Sequence, residues 1–285
     1  MELRGPPIDR DDGFMRTSVR KPSMSTTVTP PPSAPSLALF GFEPLRAAIE
    51  YASLRLTKSP CKRTGDGHPV IIFPGLGAHS RSIEPLRAFC SELGYTGLGW
   101  GRGLNTGPRG DLDKWLADLA LHVRGLAASS GQRMTLIGWS LGGMYAREVA
   151  KLLEGEVRQV ITIGTPFAGS ADSTNVGLFY RLLNGQRAVL DPATAARLAT
   201  APRVPTTSIY SRSDGVVSWR ACVQKGRGQV ENIEVDASHC GMGWNRKVWA
   251  VIADRLAVPE QCWTPYRSVR AQARTPLPTR EHMRT

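Results

Sequence analysis

No stretch of the chain approaches the ~18 consecutive apolar residues of a membrane-spanning helix, which argues against a transmembrane protein. Cysteine is sparse. The five thiols (Cys61, Cys90, Cys222, Cys240 and Cys262) are odd in number, scattered, and without metal-ligand spacing. They fit free or buried thiols in a reducing compartment better than a disulfide framework, although a bridge from Cys222 to Cys240 or Cys262 remains open. The N-terminus has Pro, Ser, Thr and charges where a secretory leader would be apolar, so a cytoplasmic location is the expectation. The Gly-rich segment Gly99–Gly103 lacks the Lys-Ser/Thr that a phosphate-cradling loop needs. No His/Cys/Asp/Glu set has metal-site spacing, so no cofactor is expected. No nucleic-acid recognition module is visible either, and no specific nucleic-acid partner is expected.

What is present is a basic globular chain of 285 residues, long enough for one large domain and little more. Apolar residues make up 41% and charged residues 21%, normal proportions for a folded core. Residues 1–36 carry five basic and four acidic side chains, and residues 264–285 five arginines against Glu281. Most of the net charge of +12 therefore lies on the body between them, spread rather than clustered. Spread charge of this kind favours solubility and at most weak association with an anionic membrane surface. The Pro/Ser/Thr-rich leader (1–36) and the arginine-rich tail (264–285) show no periodic apolar pattern and are expected to be disordered, leaving 37–263 as the domain.

Within that domain, strand and helix patterns alternate. Residues 37–58 put Leu45, Ala48, Ile49, Ala52 and Leu56 on one helical face, expected to pack against the domain; lying on a membrane is the alternative. His68–Phe73 is a continuous, β-branched apolar run, as in a strand buried on both faces. Helix Ser82–Leu93, strand Tyr95–Trp100 and helix Asp111–Ala128 follow, the last with Leu112, Trp115, Leu116, Leu119 and Val123 directed inward. Strand Met134–Trp139 leads through a sharp turn into Ala146–Leu153, of helical composition. Strands Val157–Ile163, Thr206–Tyr210 and Gln229–Val235 and helix Arg246–Leu256 complete the series. Two helical pieces near Gly177–Leu183 and Ala193–Ala199 make the segment 170–200 a candidate small lid. The alternation predicts an α/β fold with a doubly wound, mostly parallel sheet of about six strands.

Candidate chemistry gathers at strand ends. Gly138-Trp139-Ser140-Leu141-Gly142 is a G-x-S-x-G between strand and helix, the turn that lifts a nucleophilic serine clear of a sheet. Asp214 and His239 each follow a later strand, in the order Ser…Asp…His. Serine needs a base to take its proton, and of the five histidines His239 is the one placed directly after the last strand, His282 belonging to the tail. The imidazole needs a carboxylate to fix its tautomer; Asp214 suits that role, with Asp236 as rival, three residues from His239. The turn Pro74–Ala78 after the first strand places Leu76 to offer one oxyanion N–H, and Leu141 offers the other. His79, close by, reads as a surface or pocket-wall residue.

The segments FPGLGA, GWSLGG, ITIGTPFAG, SRSDGVV and SHCGM together resemble the bacterial lipase and esterase branch of the α/β-hydrolases, inositol-deacylase-like relatives included. The resemblance covers about residues 68–258. It implies nucleophile, acid and base at Ser140, Asp214 and His239, oxyanion amides at Leu76 and Leu141, and a small-molecule or lipid acyl ester as substrate. The same triad would serve a thioesterase or an acyltransferase, and a non-catalytic binding protein on this fold is the alternative from another class. Two features depart from the family. Pro74-Gly75 stands where His-Gly is usual, so a supporting side-chain hydrogen bond is expected to be missing, and the first residues do not read as the export signal of secreted lipases.

Overall fold

A computed structural model describes residues 34–56, 65–168, 192–226 and 228–266. Contacts divide the chain at Pro30–Pro31, and every described residue belongs to the second unit. The elements in chain order are α1 (Leu37–Leu56), β1 (Pro69–Phe73), α2 (Glu84–Glu92), β2 (Thr96–Gly99), α3 (Leu112–Ala127), β3 (Met134–Trp139), α4 (Leu141–Leu152), β4 (Val157–Ile163), α5 (Pro192–Ala199), β5 (Thr206–Tyr210), β6 (Val230–Glu234) and α6 (Arg246–Ala257). Short 3-10 turns precede α2 and α6. The expected helical piece near 177–183, the leader and most of the arginine-rich tail lie outside the described residues.

The sheet order is β2-β1-β3-β4-β5-β6, and all its described pairings are parallel. Alternate side chains explain why helices cover both faces. Val70 and Ile72 of β1, with Ile137 and Ile161, pack under Leu86 and Phe89 of α2 and Val248, Val251 and Ile252 of α6. Ile71 and Phe73 point the other way, with Leu136 and Val160, against Leu116, Leu119 and Val123 of α3 and Ala146 and Val149 of α4. Strand order reverses at β1, whose neighbours are β2 on one side and β3 on the other. The carboxyl ends of β1 and β3 therefore flank the crevice where open parallel sheets bind ligands.

α1 corrects a sequence expectation. Its apolar stripe faces outward: Phe42 is 60% exposed, Leu45 58%, Ile49 60% and Leu56 85%. The face turned to the body carries Glu43, Ala47 and, partly buried, Arg46 and Glu50. The reason lies in what α1 covers. The loops after β5 and β6 present backbone N–H groups with no ladder partner, and buried donors need acceptors. Glu43 and Glu50 accept from them, so polar complementarity, rather than apolar burial, decides which side of α1 faces in.

α5 docks on the second and third turns of α4. Arg147 and Lys151 donate to its last carbonyls, and Arg197 pairs with Glu148.

Candidate active site

The Ser140 turn follows from its glycines. A Cβ on Gly138 would lie 2.3 Å from Gly143 Cα, and one on Gly142 would lie 2.4 Å from the Phe73 carbonyl oxygen. Side chains at either position would push α4 off β3, or the elbow off the end of β1. Between them Ser140 sits at φ 53° and ψ −123°, a conformation that costs a non-glycine residue about 1–3 kcal/mol. Two backbone bonds hold it there. Ser140 N–H donates to Ile163 O at 2.8 Å, and Gly143 N–H donates to Ser140 O at 3.0 Å.

Asp214 and His239 form a buried pair. His239 Nδ1 lies 2.7 Å from Asp214 Oδ2, while Asp214 Oδ1 accepts from the N–H groups of Val216 and Val217 at 2.8 and 2.7 Å. Both lone-pair faces of the carboxylate are thus engaged, which fixes its direction toward the imidazole. Asp236 is turned away: its side chain is 76% exposed and meets Ser213 and Lys247. Geometry thereby separates the two aspartates that the sequence left as rivals.

Two routes tie the pair to the elbow. Trp139 Nε1 donates to the His239 carbonyl at 3.1 Å. Gly164, next to the Ile163 carbonyl that anchors Ser140, lies against the imidazole, and a Cβ there would be 3.1 Å from Nδ1. Among the described residues no hydrogen bond links the Ser140 hydroxyl to His239; such bonds are often loose until substrate is bound. Burial by itself would lower the imidazole pKa. The charge of Asp214, its hydrogen bond and the charge of Glu43 outweigh burial, so the His239 pKa stands above the ordinary imidazole value.

Leu76 and Leu141 flank the serine. Leu141 is the first residue of α4, so its N–H has no carbonyl one turn earlier within the helix. Leu76 sits in a turn closed by Gly77 N–H to Asn105 O at 2.8 Å and Ala78 N–H to Gly75 O at 3.1 Å, neither of which uses the Leu76 amide. A Cβ on Gly75 would be 3.3 Å from Ser140 Cβ, which places this turn beside the serine.

Support that the sequence was expected to lack is supplied by Asn105. Fully buried, it donates from Nδ2 to Pro74 O at 2.8 Å, and its Oδ1 accepts from Gly107 N–H and the Tyr145 hydroxyl. Nothing in the patternless stretch around Asn105 marked it. Glu43, 2% exposed, also escaped sequence reasoning: its Oε1 accepts from Gly215 and His239 N–H at 2.8 and 3.0 Å, and its Oε2 from Cys240 N–H at 2.9 Å.

The other described histidines serve structure. His79 accepts from Arg81 N–H as a helix cap, His122 meets the Trp100 carbonyl, and His68 is held between Asp66 and Thr135. Cys90, Cys222, Cys240 and Cys262 are free, which removes the disulfides left open by the sequence. Among the described residues no three His, Cys, Asp or Glu side chains are grouped to hold a metal. No helix of the described residues is long and apolar enough to cross a membrane. A surface hollow of about 320 Å3, lined by Arg133, Arg158 and Trp263, lies at the amino ends of β4 and β5, away from Ser140.

The alpha/beta hydrolase family matches residues 70–281, from β1 to beyond α6. The chain belongs to that family. A pimeloyl-[acyl-carrier protein] methyl ester esterase from Shewanella woodyi is 33% identical over 103 residues, which cover 35% of this chain and 37% of that esterase. This alpha/beta hydrolase thus matches little more than a third of that relative's length. Solved structures include the alpha/beta hydrolase domain-containing protein 10 from mouse, 16% identical over 70% of this chain and 94% of its own, with a TM-score of 0.44. A monoacylglycerol lipase from Paleococcus ferrophilus is 15% identical over 67% of this chain and 96% of its own, with a TM-score of 0.46. An esterase thus stands among the proteins to which this chain is similar.

Proposed function

We propose that the protein cleaves carboxylic esters as a serine hydrolase, with Ser140 as nucleophile, His239 as base and Asp214 as its orienting acid. The observation that carries this reading is the buried Asp214–His239 bond of 2.7 Å, set beside a serine in strained elbow geometry. In the first half-reaction Ser140 Oγ attacks the ester carbonyl carbon and its proton passes to His239 Nε2. The negative oxygen of the tetrahedral intermediate meets the N–H groups of Leu76 and Leu141. His239 then gives its proton to the departing alkoxide, the C–O bond breaks, and an acyl-serine and an alcohol result. Water attacks the acyl-serine with His239 again as base, releasing the acid and restoring the hydroxyl. The Shewanella relative, a methyl ester esterase, supports an ester carbonyl as the reacting group.

The substrate class is an acyl ester, small or lipid-derived. The outward apolar face of α1, with Arg55, Lys58, Lys62 and Arg63 at its end and beyond it in sequence, supports weak association with an anionic lipid surface. Salt-sensitive co-sedimentation with phosphatidylglycerol vesicles would test that association.

Turnover of p-nitrophenyl esters of increasing acyl length tests the chemistry. Wild type is expected to hydrolyse them, and Ser140→Ala to lose at least about a thousandfold in kcat/KM. The chain-length optimum separates an esterase from a lipase. Folded wild-type protein with no turnover at any length would move the binding-protein reading to the front.

A further inference from the structure

Glu43 belongs to an element outside the sheet, yet its carboxylate sits where the loops carrying the acid and the base meet. Gly215, immediately after Asp214, donates to Oε1 at 2.8 Å; His239 donates its own N–H to the same oxygen at 3.0 Å; Cys240 donates to Oε2 at 2.9 Å. The loops are shaped to admit α1. A Cβ on Gly215 would lie 2.5 Å from the Leu39 backbone, and one on Gly241 would lie 1.5 Å from Glu50 Oε2. One turn on from Glu43, Arg46 extends the same contact to the Ser213 carbonyl and hydroxyl. Two turns on, Glu50 accepts from Ser238 N–H at 2.8 Å and from its hydroxyl at 2.7 Å.

A carboxylate that only accepts, from two loops at once, fixes the distance between them. We propose that Glu43 is a positioning residue for the Asp214–His239 pair, clamping the acid loop to the base loop and placing a second negative charge at the backbone of the base residue. This rests on the reading of Ser140, His239 and Asp214 as a triad. The clamp matters when His239 takes the serine proton. The imidazolium that forms is then stabilised by two carboxylates, Asp214 through its hydrogen bond and Glu43 through space. The charged groups around His239 are Asp214 from the loop after β5, Glu43, Arg46 and Glu50 from α1, and Asp236 before the histidine itself. Arg46 stands 3.9 Å from both Glu43 and Asp236, and Asp236 is exposed, so Asp214 and Glu43 are the buried charges that bear on the ring.

The test follows the rate of fluorophosphonate labelling from pH 5 to pH 9 in wild type, Glu43→Gln and Glu43→Asp, each checked for cooperative melting. Gln keeps the size and can accept at Oε1 from Gly215 and His239, but it lacks the charge and its amide nitrogen cannot accept from Cys240; Asp keeps the charge but falls short by one methylene. Gln is expected to lower the plateau rate about tenfold and to move the rising limb down by roughly one pH unit, because the neutral base is then favoured. Asp is expected to lose plateau rate while its limb stays near that of wild type. A Gln variant with an unmoved limb, whatever its plateau, would overturn the electrostatic half of the proposal. An Asp variant equal to wild type would overturn the clamp, and it decides that point even where Gln does not fold. Failure of wild type itself to label would instead remove the serine nucleophile, and this proposal with it.

Discussion

Ser140, Asp214 and His239 are read from the sequence because each combines a residue type with a place after a strand. The elbow glycines were legible for the same reason, and close approach of backbone at Gly138 and Gly142 accounts for them. Asn105 and Glu43 were not legible. Each acts by accepting from or donating to backbone groups far away in sequence, and an isolated Asn or Glu carries no pattern that names such a partner. The choice between Asp214 and Asp236 likewise needed direction: one carboxylate is aimed at the imidazole, the other at solvent. At this scale the pH dependence of the reaction follows from a sign. As the proposed base His239 must be neutral, and its pKa is held above the ordinary imidazole value by Asp214 and Glu43 against the effect of burial. The rising limb of kcat/KM is therefore expected above the pH of an unperturbed histidine, with activity falling as pH drops through it. A profile flat from pH 5 to pH 8 would contradict the assignment of the base.

Among the elements, α1 shows what periodicity can and cannot say. The spacing of Leu45, Ala48, Ile49, Ala52 and Leu56 correctly gathers them on one face, but a stripe does not state which way it points. In most helices the apolar side faces in. Here the opposite side meets the N–H groups of Gly215, Ser238, His239 and Cys240, and the carboxylates of Glu43 and Glu50 accept from them. The two orientations predict opposite orders of damage. Leu45→Glu, on the exposed face, is expected to change stability by no more than about 0.5 kcal/mol. Ala47→Glu would bury a charge where Ala47 is 6% exposed, and is expected to cost several times as much. Urea denaturation of the two variants decides it, and the reverse order would return α1 to the inward orientation. β1, β3 and β4 were placed to within a residue, because a parallel strand covered on both faces reads as a largely apolar run.

For the whole molecule, the order β2-β1-β3-β4-β5-β6 brings the turns after β1 and β3 to one crevice, and the later loops bring Asp214 and His239 together, with the His239 carbonyl held by Trp139 at the end of β3. Alternation of strand and helix was enough to give the parallel sheet, whereas the order of strands came only with the structure. Two buried thiols, Cys90 and Cys222, test the packing. Cys90, on α2, has its pKa pushed up to about 12 by burial, and Cys222 is raised by burial and then by Asp214. Iodoacetamide at pH 8, mapped by mass spectrometry, is expected to spare both in the native protein and to modify the exposed Cys262. Modification of Cys90 or Cys222 before unfolding would contradict the packing described.

The central claim is that Ser140 is an activated nucleophile. Incubation of the folded protein with a fluorophosphonate probe, followed by peptide mapping, tests it most directly. One adduct per chain on Ser140, absent from Ser140→Ala and slowed in Asp214→Asn, is the predicted result. Labelling elsewhere, or none in wild-type protein of verified fold, would contradict it.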